Sequence, residues 1–166
     1  RTELSMAAAE ELRVPLDRVR MQMADTDRTP NDGTTAGSGS TPRTVPLVRK
    51  AAAAARGVLL AAASRQWNVD RTQLDVRDGA VAYEGKTYTY AELARSPELA
   101  AAYKDELPAD TALTDAKEWR ILGTPHPRVD AREIVTGLHR YPSDIVRPGM
   151  LYGRVLRAPS YGATLA

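Results

Sequence analysis

Residues 25 to 41 read DTDRTPNDGTTAGSGST, and the fold turns on what this stretch is. It combines Gly33, Gly37 and Gly39 with Pro30, three aspartates and a run of Thr and Ser hydroxyls. With no aliphatic side chain larger than alanine, it cannot supply a core element. Before it, Val19, Met21 and Met23 alternate with Arg18, Arg20 and Gln22, which predicts a strand over 17–24 with one buried face. After it, Leu47, Ala51, Ala54, Val58 and Ala62 form a helical stripe in an alanine-rich run from Thr44 to Trp67. The order is strand, polar loop, helix. A loop ending at a helix start can aim backbone N–H groups and hydroxyls at an anion, which suggests phosphate cradling. Gly/Ser/Thr stretches are also common flexible linkers, and composition alone leaves both readings open. Too few residues precede this one to make an independent unit, so the loop belongs inside a domain.

Working outward, Leu4, Ala7, Ala8 and Leu12 predict a helix over 4–13 that stops before Pro15, with Glu3, Glu10 and Glu11 off its stripe. Thr44 is placed to cap the second helix, whose first turn tolerates Pro46. Arg49, Lys50 and Arg56 read as its solvated face. Short β signals follow at 73–77, 80–83 and 87–90 with turns at Asp78-Gly79 and Glu84-Gly85, which is a small meander. Short helices are expected at 90–94 and 97–103. From Lys104 the prolines Pro108, Pro125 and Pro127 and the loss of periodicity indicate an extended connection, with a domain boundary before Asp130. Met150 to Leu156 alternates like a strand that opens a new unit. The fold class is α/β (α+β), divided as 1–103, 104–129 and 130–166. The chain starts at Arg1 without methionine, as though it were part of something longer.

Composition removes several functions. With 23 basic and 21 acidic side chains, the net charge of +2 builds no strong field for nucleic acid or an anionic membrane. No run nears the ~20 apolar residues of a membrane span. The absence of cysteine excludes disulfides, thiolate metal sites and a cysteine nucleophile within these residues. His126 and His139 stand apart, without carboxylates at metal-ligand spacing, so no metal or catalytic role is assigned to them. No Ser-His-Asp set, GxxxxGK[ST] or GxGxxG is present. The residues alone lead to an anion-binding α/β unit.

Five segments in one order extend that reading: AAAEELRVPLDRVRMQMADTD, NDGTTAGSGST, KAAAAARGVLLAAASRQWNV, EWRILGTPHPRVDAREIVTG and PGMLYGRVLRAPSYGATL. Together they resemble the molybdenum-cofactor-binding large subunit of the xanthine dehydrogenase/aldehyde oxidase family, in the branch with isoquinoline 1-oxidoreductase and nicotinate dehydrogenase. The resemblance implies a partial molybdopterin-binding domain at 1–103, an extended linker at 104–129, and the start of a hammerhead domain, with its first strand, at 130–166. Of the family's GQGxxT motif only Thr2 would remain. Asp25 and Thr26 match its DT motif, and Gly37 to Thr41 match GSRST. The implied cofactor is molybdopterin cytosine dinucleotide, held by Thr2, Asp25, Thr26, Thr35, Gly37, Ser38, Ser40 and Thr41. The implied partners are a small-molecule substrate and an iron–sulfur electron-transfer subunit, with room for a cytochrome c; nucleic acid is not among them. The reaction implied for the full-length protein is hydroxylation of an N-heterocycle or aldehyde with water as oxygen source. The family's catalytic glutamate would lie beyond these residues, so the fragment alone should be inactive. The location is either periplasmic, by twin-arginine export, or cytoplasmic. Gly39 stands where the family often has arginine, which removes a bidentate phosphate donor. That leaves open a non-catalytic structural or binding domain that keeps the scaffold without the cofactor contacts.

Overall fold

A computed structural model of the chain describes residues 1–31, 33–34, 36–95 and 111–163. The chain divides into two compact units, Arg1–Val129 and Asp130–Ala166. In the first, α1 (Thr2–Leu12) packs along α2 (Val45–Trp67). Both helices are rich in alanine, the best helix former, and bury small side chains: Ala7 and Ala9 on α1, and Ala52, Ala53 and Ala54 on α2. Each ends on a left-handed residue, Arg13 at φ 53° and Asn68 at φ 53°, whose N–H returns to the last carbonyls. The expectation of a Thr44 cap is not met. Thr44 already has helical angles and makes no side-chain cap bond, because a π-type turn, Ser40–Thr44, runs straight into α2.

The face of α2 also differs from expectation. Leu47 is 65% exposed and Ala51 is exposed, whereas Ala52, Ala53, Leu59 and Ala63 turn inward. A helix with alanine at most positions offers several equally apolar faces, so its periodicity cannot choose between them.

The meander forms as predicted: β1 (Asp75–Arg77), β2 (Ala80–Tyr83) and β3 (Lys86–Thr89) pair antiparallel in sequence order, with Val76 opposite Val81 and Val81 opposite Tyr88. Both turns hold two residues at positive φ, Asp78-Gly79 at 52° and 76° and Glu84-Gly85 at 43° and 78°, which suits the right-handed twist of a hairpin. Val76 and Val81 close on Leu59, Ala63 and Leu93 to make the core. Trp67 stacks on Tyr88, ring centroids 4.8 Å apart, and seals its edge. The short helix α3 (Tyr90–Leu93) starts from a capping box between Thr89 and Glu92. The sheet is fastened to the end of α1 by Gly79 N–H to Arg13 O (3.2 Å) and Tyr90 Oη to Leu12 O (2.8 Å).

Two predicted strands do not form among the described residues. Residues 17–24 give a 3-10 turn, Leu16–Arg18, and then irregular chain with Met23 39% exposed. Alternation supplies a face but not a neighbour, and among the described residues the sheet contains β1, β2 and β3 alone. Met150 to Leu156 likewise has no ladder partner, and Leu151, Val155 and Leu156 are exposed. The helix expected at 97–103 lies outside the described residues. From 111 to 129 the one regular element is a 3-10 turn, Ala116–Glu118.

The second unit holds the short helix α4 (Ala131–Val135) and a 3-10 turn, Pro142–Asp144. Glu133 O accepts from both Leu138 N–H and His139 N–H, and the His139 ring meets Tyr141 edge-on at 4.7 Å. Among the described residues no helix is long and apolar enough to cross a membrane.

Candidate functional site

The loop residues fall into two turns. At Asp25 the carboxylate accepts from Gln22 Nε2 (2.7 Å) and from Asp27 N–H (3.1 Å), while its carbonyl accepts from Thr29 Oγ1 and Thr29 N–H, each at 2.8 Å. Asp25 is therefore spent on shaping its own turn. The Thr26 hydroxyl is exposed and has no hydrogen bond among the described residues. The second turn has Gly37 at φ 62° and Ser38 at φ 50°, then Gly39 and the turn Ser40–Thr44 into α2. The hydroxyls of Ser38, Ser40 and Thr41 make no hydrogen bond among the described residues, and the first turn of α2 has no acidic side chain. Thr35 lies outside the described residues. Thr2 sits at the start of α1 and accepts from Val129 N–H at 3.0 Å. Among the described residues no hydrogen bond or ion pair joins Thr2, the Asp25 turn and the Gly37 turn to one another.

Between α1, α2 and the 114–122 segment stands a buried polar cluster whose members, taken one at a time in the sequence, look like solvated charges. Glu11 is fully buried, and Glu10 is 5% exposed. The Glu11 carboxylate accepts from Arg49 Nε (2.8 Å), Thr114 Oγ1 (2.9 Å) and Thr114 N–H (3.1 Å), and Arg49 Nη2 stands 2.7 Å from it. Arg56 donates to Glu11 O at 2.6 Å. Burial pushes the Arg56 guanidinium below its ordinary pKa and Arg13 adds to this, against the opposing pull of Glu11. Arg49 also donates to Thr114 O (2.6 Å) and lies 5.2 Å from the centre of the Trp119 ring. Glu10 accepts N–H bonds from Arg120, Ile121 and Leu122, the shortest 2.6 Å. Every buried side-chain polar atom among the described residues is satisfied.

Arg49 and Arg56 thus hold α1, α2 and the 114–122 segment together instead of forming a solvated face. The signal was present. Glu11, expected off the apolar stripe, lies seven residues after Leu4 and so on the Leu4, Ala7 and Ala8 face, and Arg49 and Arg56 are themselves two helical turns apart.

The chain matches the family model described as molybdopterin cofactor-binding domain over residues 1–132. It is 37% identical, over 98% of its length, to a nicotinate dehydrogenase chain of Pseudomonas putida, and 32% identical, over 97%, to the beta chain of isoquinoline 1-oxidoreductase of Brevundimonas diminuta. It is 27% identical, over 98%, to a membrane-bound aldehyde dehydrogenase (pyrroloquinoline-quinone) of Gluconacetobacter polyoxogenes. The chain spans 13%, 25% and 21% of the lengths of these relatives. The match covers the Gly37 turn, α2 and the Glu11 cluster alike: the chain belongs to the molybdopterin cofactor-binding domain family.

Proposed function

We propose that the turn from Gly37 to Thr41 and the start of α2 take the phosphates of molybdopterin cytosine dinucleotide. The observation that carries this reading is the donor set. Three hydroxyls without a hydrogen bond among the described residues, on Ser38, Ser40 and Thr41, lead into a helix of 23 residues with no side-chain cap. Among the described residues nothing lies within 4 Å of the Cβ position of Gly37, which leaves the backbone there open to close approach. Thr2, Asp25, Thr26 and Thr35 complete the proposed set, Asp25 by fixing its turn and the threonines by their hydroxyls. Bound there, the group would supply two-electron oxidation with water as the source of oxygen.

The wider reading follows the relatives. The full-length protein would be a molybdenum hydroxylase acting on an N-heterocycle or aldehyde, delivering electrons to an iron–sulfur subunit, with a cytochrome c as a further acceptor. Residues 1–103 would hold the cofactor, 104–129 would connect, and 130–166 would begin a hammerhead domain. The names of the first two relatives, built on nicotinate and isoquinoline, favour an N-heterocycle. Molybdenum analysis of the purified full-length protein beside its Gly37→Val variant tests the site. Near-stoichiometric metal in wild type and little in the variant is the expected result. Equal loading would make the loop a linker. A metal-free wild type that carries a quinone, as the third relative's name suggests for that protein, would overturn the molybdenum reading itself.

A further inference from the structure

Gly39 is the one loop glycine whose backbone does not ask for glycine. Its angles, φ −81° and ψ −6°, are open to any residue. What its missing side chain leaves room for is Arg43, which would have to swing aside for a Cβ. The guanidinium of Arg43 lies against its Cα, with Nε 2.5 Å and Cζ 2.6 Å from where a Cβ would stand. Arg43 is exposed, and its guanidinium has neither ion pair nor hydrogen bond among the described residues. It nevertheless folds back one helical turn toward the start of its own helix. There it lies against Gly39, which stands between Ser38 and Ser40 in the chain, and the hydroxyls of Ser38, Ser40 and Thr41 are also without partners among the described residues.

We infer that Gly39 and Arg43 are one device: the glycine is the seat, and the seated guanidinium is the charged donor that the turn presents to a phosphate oxygen. This rests on the reading of the Gly37–Thr41 turn as a phosphate contact and assigns its specificity to a residue outside that set. Hydroxyls and backbone N–H groups recognise many acceptors, whereas a planar guanidinium selects an anion with two oxygens in reach. The seat also holds the long side chain near its binding position, so less rotamer freedom is lost on binding.

The test uses the full-length protein, purified with its cofactor and dialysed, with molybdenum and acid-released cytidine monophosphate followed over time. Arg43→Ala should lose both about tenfold faster than wild type, the loss of one charge-assisted contact. Gly39→Ala keeps an allowed backbone but fills the seat, and should lose them comparably fast. The double variant should be no faster than either single one, because both remove the same contact. Gly39→Arg combined with Arg43→Ala, which offers a guanidinium from the vacated seat, should recover retention. Wild-type retention in Arg43→Ala beside an empty Gly37→Val would overturn this inference and leave the phosphate site standing. Wild-type retention in both would remove the site reading as well. Additive losses in the double variant would show that Gly39 and Arg43 act separately, which also overturns the device.

Discussion

Glu11 and Arg49 meet 2.7 Å apart inside the first unit, the Glu11 side chain with none of its surface exposed and the Arg49 side chain with 16%. A carboxylate so placed is held by its partners and cannot be left without them. Glu11→Ala removes the ion-pair partner of Arg49 and the acceptor of Thr114 N–H and Oγ1, while Arg56 keeps its bond to the backbone carbonyl of residue 11. A loss of about 3–5 kcal/mol is expected for breaking one side of a buried pair. Arg49→Ala should cost a similar amount. The double variant should cost clearly less than the sum, because neither charge is then buried alone. Denaturant unfolding of the three variants measures this, and strict additivity would mean that the pair does not interact.

Glu10 performs a different task. It takes three N–H bonds from Arg120, Ile121 and Leu122, so it stands in for the ladder that an irregular segment lacks. Glu10→Ala should leave α1 intact and release the segment. Amide hydrogen exchange at 120–122 should accelerate by at least tenfold, as bonds to a charged acceptor contribute about 1.5–3 kcal/mol each. Unchanged protection there would show that packing, not Glu10, holds the segment.

Much of this was legible in the sequence, for identifiable reasons. Glycine-containing turns at Asp78-Gly79 and Glu84-Gly85 set the hairpins, Pro15 marked the end of the first helix, and the apolar run ending at Trp67 marked the end of the second. The α/β class followed from these. The strand expected over 17–24 does not form because alternation at Val19, Met21 and Met23 specifies a face and says nothing of a neighbour to pair with. The polar core stays hidden while Glu11 and Arg49 are weighed singly as surface charges. Each is buried only because the other, some 38 residues away in the chain, is there to meet it.

The cap of α3 has a pH signature. The hydrogen bonds from the Thr89 hydroxyl and N–H hold the Glu92 carboxyl below the usual carboxylate range. Its folded-state pKa is therefore below the unfolded value, and the unfolded chain binds the extra proton in between. The contribution is fully present above the unfolded pKa and is lost as pH falls through the lowered folded value. Glu92→Gln should flatten that part of the acid limb while changing stability at neutral pH only through the cap. An unchanged acid limb would show that the capping box does not form in solution.

Gly37 offers the most discriminating substitution, because two demands on it can be separated. Its φ of 62° favours glycine, yet asparagine also adopts that conformation at small cost. Among the described residues nothing lies within 4 Å of a Cβ placed there. If the residue serves only the turn, Gly37→Asn should keep both fold and cofactor, and only β-branched residues such as valine should fail. If a phosphate approaches the backbone at Gly37, the asparagine side chain occupies that approach, and molybdenum content should fall even though the turn is kept. Thermal unfolding of the metal-free protein reports the turn, and metal analysis reports the approach. Unchanged stability with reduced molybdenum is the expected pair of results. Full loading in Gly37→Asn would confine Gly37 to backbone geometry and move the phosphate contact onto the hydroxyls of Ser38, Ser40 and Thr41.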